Sequence, residues 1–235
     1  MALKKKLSCL WILTLCLAAC RLSKAADEIP KVPSINNPKF IREFVDHHNE
    51  LRGKVNPTAA DMNSLSWDKA LAEVARTWAK RCLFSHNPCT GKRYGCISGY
   101  DYLGENIYLG GINTVPRQVV YAWYNESKDY DFDNKTCSKT CGHYTQVVWA
   151  KSLKVGCAVA NCPHLLGNSA GLFVCNYSPA GNYKDVNPYT KGKPCSMCGK
   201  DDCMDNLCRL HSCWELMTAI AVFYPKTDIA HRSIF

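Results

Sequence analysis

Apolar residues recur at helical spacing over 37–53, where Phe40, Ile41, Phe44, Val45, His48 and Leu51 share one stripe. Asn37 suits a cap and Pro38 the first helical position, so this helix is expected to start there and to stop at Gly53. A second helix is expected from Ser66, carrying Leu71, Val74, Ala75 and Trp78 inward. A third is expected near Thr114, with Pro116 in its first turn and Val119, Val120 and Trp123 as its apolar face. The pattern then changes. Runs rich in Val, Tyr, Phe and Trp at 144–149, 155–162 and 171–177 read as strands, and Gly110-Gly111 and Gly167 read as turns. Helices early and strands late indicate α+β layers rather than alternating βαβ units.

The amino terminus follows another pattern. Lys4-Lys5-Lys6 precedes an apolar run, Leu7 to Ala19, that is shorter than the roughly 20 residues a spanning helix needs. Ser23-Lys24-Ala25 offers a small-residue cleavage site, so residues 1–25 read as a signal peptide and the protein as secreted. Leu17-Ala18-Ala19-Cys20 also fits a bacterial lipid-attachment pattern, which nothing else in the chain supports. Removing the five basic residues of this segment (Lys4, Lys5, Lys6, Arg21, Lys24) from a formal charge of +9 leaves +4. So small an excess argues against a nucleic-acid partner.

Cleavage would leave 13 of the 16 cysteines, eight from Cys82 to Cys175 and five from Cys195 to Cys213. In an oxidising compartment they should mostly pair. The eight can close among themselves, with connectivity left open by the sequence. Cys195, Cys198, Cys203 and Cys208 form a compact cluster, which makes Cys213 the expected odd residue. Cys195-x-x-Cys198 as half of a zinc site is the weaker alternative outside the cell.

Two strings do not look like generic core strands: Gly142-His143-Tyr144-Thr145-Gln146-Val147-Val148-Trp149, and 172–183, which runs through Cys175-Asn176-Tyr177 into Pro179-Ala180-Gly181-Asn182. With His48-Asn49-Glu50-Leu51-Arg52 and Gly104-Glu105-Asn106-Ile107, they resemble the four motifs of the CAP superfamily, in the family's order. That group comprises cysteine-rich secretory, antigen-5 and pathogenesis-related proteins, and the glioma pathogenesis-related-like members are the nearest in kind. The resemblance implies an α+β fold, a CAP-type α-β-α sandwich around a small mixed sheet. It divides the chain into a CAP domain at 35–189, a cysteine-rich hinge-like segment at 190–213 and a tail at 214–235.

By motif position, the resemblance also assigns a cleft quartet, His86, Glu105, Glu126 and His143, whose convergence the spacing alone does not show. His86 and His143 are then candidate zinc ligands, with a glutamate orienting a ring or activating water. No cofactor is certain. The alternative for Glu105 is a buried carboxylate tying the Gly-Glu-Asn loop to backbone amides, and His48 and Arg52 are expected to fix the first helix. No Ser or Cys has a recognisable nucleophile context, and there is no His-Glu-x-x-His helix. The expectation is a non-enzymatic recognition protein. The resemblance implies an extracellular or cell-surface protein or glycan, on sperm or egg coat, as partner. The alternatives are a zinc-assisted extracellular hydrolase and a sterol or lipid carrier. Tyr130 and Phe132, between polar residues and ahead of Cys137 and Cys141, are the candidate lipid loop, unless they fold inward. Asn125 and Asn134 are candidate glycosylation acceptors, and the third Asn-x-Ser/Thr site, Asn176, is expected to be inaccessible.

Overall fold

Asn37 does cap the first helix. In the computed structural model, which describes residues 32–166 and 170–209, its side chain accepts the amides of Lys39 and Phe40, and α1 runs Pro38–Arg52. The signal peptide expected at 1–25, the turn expected at Gly167, Cys213 and the expected 214–235 tail lie outside the described residues. α1 turns Phe40, Phe44, His48 and Arg52 inward. The second helix, α2, starts later than its apolar pattern implied. Asp68 caps it through the Leu71 amide and it spans Lys69–Ala79, while Ser66–Trp67 is a short strand, β1. Ser66 is spent pairing with Lys154, so the capping carboxylate two residues later takes over the helix start. α2 buries Leu71, Ala72, Ala75, Trp78 and Ala79, and Val74 is only partly covered.

The segment expected to be a Gly-Glu-Asn loop is a strand. β2 spans Gly104–Gly111, and the Gly110-Gly111 pair expected to turn lies inside it, opposite Gly171 and Ala170. α3, Pro116–Tyr124, follows and turns Val119, Val120 and Trp123 inward, then passes into a 3₁₀ turn at Asn125–Asp129. A small hairpin pairs β3, Tyr130–Asp131, with β4, Thr136–Cys137. The run at 144–149, expected to be a strand opened by His143, is instead the helix α4, Gly142–Val147. Its valines and aromatics suggested a strand, but Tyr144, Val147 and Val148 are buried at helical spacing, and the first amides are capped from outside by Glu126. β5, Lys154–Asn161, a short helix α5, Pro163–Leu166, and β6, Ala170–Ser178, complete the domain.

The sheet has the order β1-β5-β6-β2, with β1 parallel to β5 and the other pairs antiparallel. It is the small mixed sheet of an α+β sandwich. Strand alternation sorts its two faces. Ala158, Ala160, Leu172, Val174 and Ile107 pack in one cluster with Ala72, Ala75 and Trp78 of α2. Gly156 lies under that helix, where an added Cβ would run into the backbone of Ala72 and Asp68, so the close approach requires glycine. The opposite face carries Val155, Cys157, Phe173, Cys175 and Tyr177 toward α1, α3 and α4.

All eight cysteines of the main domain pair: Cys82–Cys162, Cys89–Cys96, Cys137–Cys141 and Cys157–Cys175. The four-cysteine cluster pairs as Cys195–Cys203 and Cys198–Cys208 around a hairpin of β7, Asp202–Met204, and β8, Leu207–Arg209. This hairpin docks on the domain. Cys208 N–H donates to the Met62 carbonyl at 2.8 Å, Ser64 N–H donates to the Cys208 carbonyl at 2.9 Å, and Leu207 is buried.

Candidate functional site

The four quartet residues stand on four different elements, and the structure joins them as two histidine–carboxylate pairs beside the edge strand β2. Glu105, near the start of β2, points to the α2 face. Its Oε1 accepts from His86 Nδ1 at 2.9 Å and from Asn87 N–H at 2.9 Å. The carboxylate is only 2% exposed whereas the imidazole is 64% exposed. The amide of the fully buried Asn176 sits against the same group. Turned to satisfy both ends, its nitrogen donates to Glu105 Oε2 at 3.3 Å and its oxygen accepts from Ala75 N–H at 3.1 Å.

Glu126 lies in the 3₁₀ turn after α3, not at the end of that helix. Its Oε1 accepts from His143 Nδ1 at 2.6 Å, and its Oε2 accepts the His143 and Tyr144 amides at 3.0 and 3.2 Å. A residue from one element thus caps the helix of another and orients a ring upon it. The Trp123 ring lies nearly parallel to His143, with centroids 6.3 Å apart and planes at 19°. No hydrogen bond links the two pairs directly among the described residues. Asn106, next to Glu105 on β2 and facing the other way, makes the connection by donating to the His143 carbonyl at 3.0 Å.

Both histidines use Nδ1 on a carboxylate, which accepts only, so Nδ1 carries the proton and Nε2 holds the free lone pair of the neutral ring. Neither Nε2 has a partner among the described residues. The pairs therefore offer two oriented imidazole donors. The hydrogen bond to Glu105, with its charge, holds the His86 pKa above the usual imidazole value, partly opposed by burial.

Behind these pairs lies a buried polar frame. His48, fully buried, donates Nδ1–H to the Phe44 carbonyl at 2.7 Å, and its Nε2 accepts from the Tyr177 hydroxyl at 2.9 Å. The Tyr177 oxygen accepts in turn from Asn106 at 3.3 Å, so the chain of bonds runs from α1 to the His143 carbonyl. Burial drives the His48 pKa down to about 4, and raises that of Tyr177. Arg52 is also fully buried, with no carboxylate bonded to it among the described residues. It donates to the carbonyls of Asn63, Val147, Trp149, Ala150 and Ser152, holding the C-terminal end of α4 and the turn after it. The two signature strings hold each other: Gly181 N–H donates to Gln146 Oε1 at 2.9 Å, and Thr145 Oγ1 to Asn182 Oδ1 at 2.7 Å. Sequence reasoning missed Asn106, Tyr177 and Gln146. All three stand in the motif strings themselves, Asn106 beside Glu105, Gln146 after His143 and Tyr177 after Asn176, and that placement was the available signal.

Asn125 and Asn134 are exposed, and Asn176 is fully buried. Phe132 is buried against Tyr189, with ring centroids 4.7 Å apart, and Tyr130 lies half-buried 5.8 Å from Tyr144. The aromatics of this loop fold inward and do not form an exposed stacking face.

The family profile described as "CAP: Cysteine-rich secretory protein family" matches residues 45–177, a span that holds all four quartet residues. The chain is 60% identical over 210 residues to the GLIPR1-like protein 1 of Mus musculus, covering 89% of each chain. It is 55% identical over 211 residues to that of Homo sapiens, covering 89% of this chain and 84% of the relative. Among solved structures, "Crystal structure of NaASP2 with Zn2+" aligns with a TM-score of 0.60 at 29% identity, over 73% of this chain and 96% of that one. The chain belongs to the cysteine-rich secretory protein (CAP) family, among relatives of the glioma pathogenesis-related type.

Proposed function

We propose that this chain is a secreted, non-enzymatic recognition protein whose partner is an extracellular or cell-surface protein or glycan on sperm or egg coat. The carrying observation is how the two glutamates are used. Each accepts from backbone amides as well as from an imidazole, so both are committed to holding loop and helix in place. A glutamate serving as base or nucleophile needs an oxygen free of such bonds, and both oxygens of each are taken. The six disulfides among the described residues suit an oxidising compartment, in keeping with a signal peptide at 1–25. The sperm and egg-coat setting comes from the family resemblance. A lipid carrier built on Tyr130 and Phe132 would need the ring faces that rest on Tyr144 and Tyr189.

One observation favours the zinc-assisted reading. His86 and His143 each present a carboxylate-oriented ring with Nε2 open, which is how metal-binding imidazoles are held. The named NaASP2 structure is one with Zn2+. The donor set fits such an ion only in part, because catalytic zinc takes three protein ligands, and no group of three or more His, Cys, Asp or Glu is placed for a metal among the described residues. His86 and His143 would be the ligands.

Native mass spectra of the secreted protein, beside the His86→Ala/His143→Ala variant, test both readings together with binding to intact sperm and egg coats. Recognition predicts cell binding by both proteins and no peptide cleavage by either. Cleavage that needs zinc and disappears in the variant would establish the hydrolase instead.

A further inference from the structure

The loop that carries His86 has a surface the quartet does not explain. Residues 80–102 hold four cations, Lys80, Arg81, Lys92 and Arg93, against a single acid, Asp101. Asp101 is taken by Arg93 at 2.9 Å. Arg81 rests over the Trp78 ring, and Lys80 and Lys92 have no ion pair among the described residues. The same stretch of chain carries Leu83, Phe84, Tyr94 and Tyr102, which are 47%, 60%, 52% and 40% exposed. Four large apolar side chains left this open on one loop mark an interaction surface.

The loop is also rigid and long. Cys89–Cys96 closes its tip, and Cys82–Cys162 anchors its start. It leaves the C-terminal end of α2 and returns to that helix's cap, where the Tyr100 hydroxyl donates to Asp68 Oδ2 at 2.6 Å. The surface therefore runs beside the 11 residues of α2, a length of about 16 Å.

We propose that this loop binds a sulfated glycan chain, with Lys80, Arg81 and Lys92 pairing to sulfates and the exposed aromatic rings packing on sugar faces. This rests on the extracellular recognition proposed above and names the chemistry of the partner. Charge complementarity selects a polyanion. The cations fall in two pairs, Lys80-Arg81 and Lys92-Arg93, set apart along a disulfide-fixed loop, with Phe84 between the pairs and Tyr94 and Tyr102 after them. That arrangement suits an extended chain better than a bilayer surface.

The test is binding of the secreted full chain to a heparin dodecasaccharide, to its desulfated form, and to phosphatidylserine vesicles. The Lys80→Glu/Arg81→Glu/Lys92→Glu variant is compared with Lys184→Glu/Lys193→Glu/Lys200→Glu, which changes net charge equally elsewhere on the surface. The expected result is saturable binding to the sulfated sugar only, about tenfold or more weaker in the first variant and nearly unchanged in the second. Phe84→Ser, which alters no charge, should weaken it by about threefold. Equal loss in both charge variants, no sugar binding, or the same loop dependence on vesicles without sugar binding would overturn the inference. Sperm and egg-coat binding by the same proteins separates the two proposals. Cell binding without sugar binding defeats this one alone, and sugar binding without cell binding defeats the sperm and egg-coat partner alone.

Discussion

His48 and His86 are the same residue placed in opposite surroundings, and the two regions they represent divide the molecule's labour. His48 is sealed between α1 and β6, bonded at both ring nitrogens, with its pKa driven down to about 4. His86 stands largely in solvent with one nitrogen on Glu105 and its pKa raised. The first region spends its polar groups on holding elements together. The second keeps an open ring edge, on a loop that also carries exposed cations and aromatic rings. A histidine within a family motif is thus no guide to its use until its second nitrogen is accounted for.

The largest effect expected lies in the buried region. Arg52→Ala would remove the donor for the carbonyls of Asn63, Val147 and Ser152, for which no other donor is seen among the described residues. With the cavity it leaves, the cost is expected to be about 3–5 kcal/mol, read as a shift in the urea midpoint with disulfides intact. A shift no larger than that of an exposed substitution would break the contrast drawn here.

Acid should come next and should separate the two histidines. The folded ring of His48 takes up its proton only near pH 4, while the unfolded ring does so near its ordinary 6.5. Between those values the unfolded state holds more protons, so stability falls as the pH is lowered, by about 3 kcal/mol in all. For His86 the sign reverses. Its folded pKa is raised, so its contribution is complete below about pH 6.5 and is lost as the pH climbs through the folded value. Exposure keeps that contribution small. The two windows adjoin, and stability from these groups should peak near their boundary. Urea midpoints across pH 4–8 should lose the acid slope in His48→Gln and the shallow alkaline slope in His86→Gln.

Local patterning was enough for α1 and its Asn37 cap, for α3, and for β5 and β6, because one apolar face and a terminal signal decide each of them. It failed where a distant partner decides. α4 reads as a strand until Glu126 reaches across to cap it, and β2 reads as a loop because glycines flank it at both ends while its pairing partner lies about 70 residues on. The quartet showed the same limit. Residue types and motif positions named His86, Glu105, Glu126 and His143, but the pairing of His86 with Glu105 and of Glu126 with His143 depends on tertiary contacts that no spacing carries.

The smallest contrast lies within one pair and tests whether its local structure is held by the carboxylate or by the ring. Glu105→Ala strips the acceptor from Asn87 N–H and from the buried Asn176 amide as well as from His86. That should cost about 1–3 kcal/mol, because two of those donors are covered. His86→Ala removes a ring that is 64% exposed and leaves Glu105 its other two donors, so it should cost less than about 1 kcal/mol. Urea midpoints of the two variants should therefore differ clearly, with Glu105→Ala the lower. Equal midpoints would mean that His86 is itself part of the frame, and its open Nε2 would then be a by-product of packing, not a feature presented to a partner.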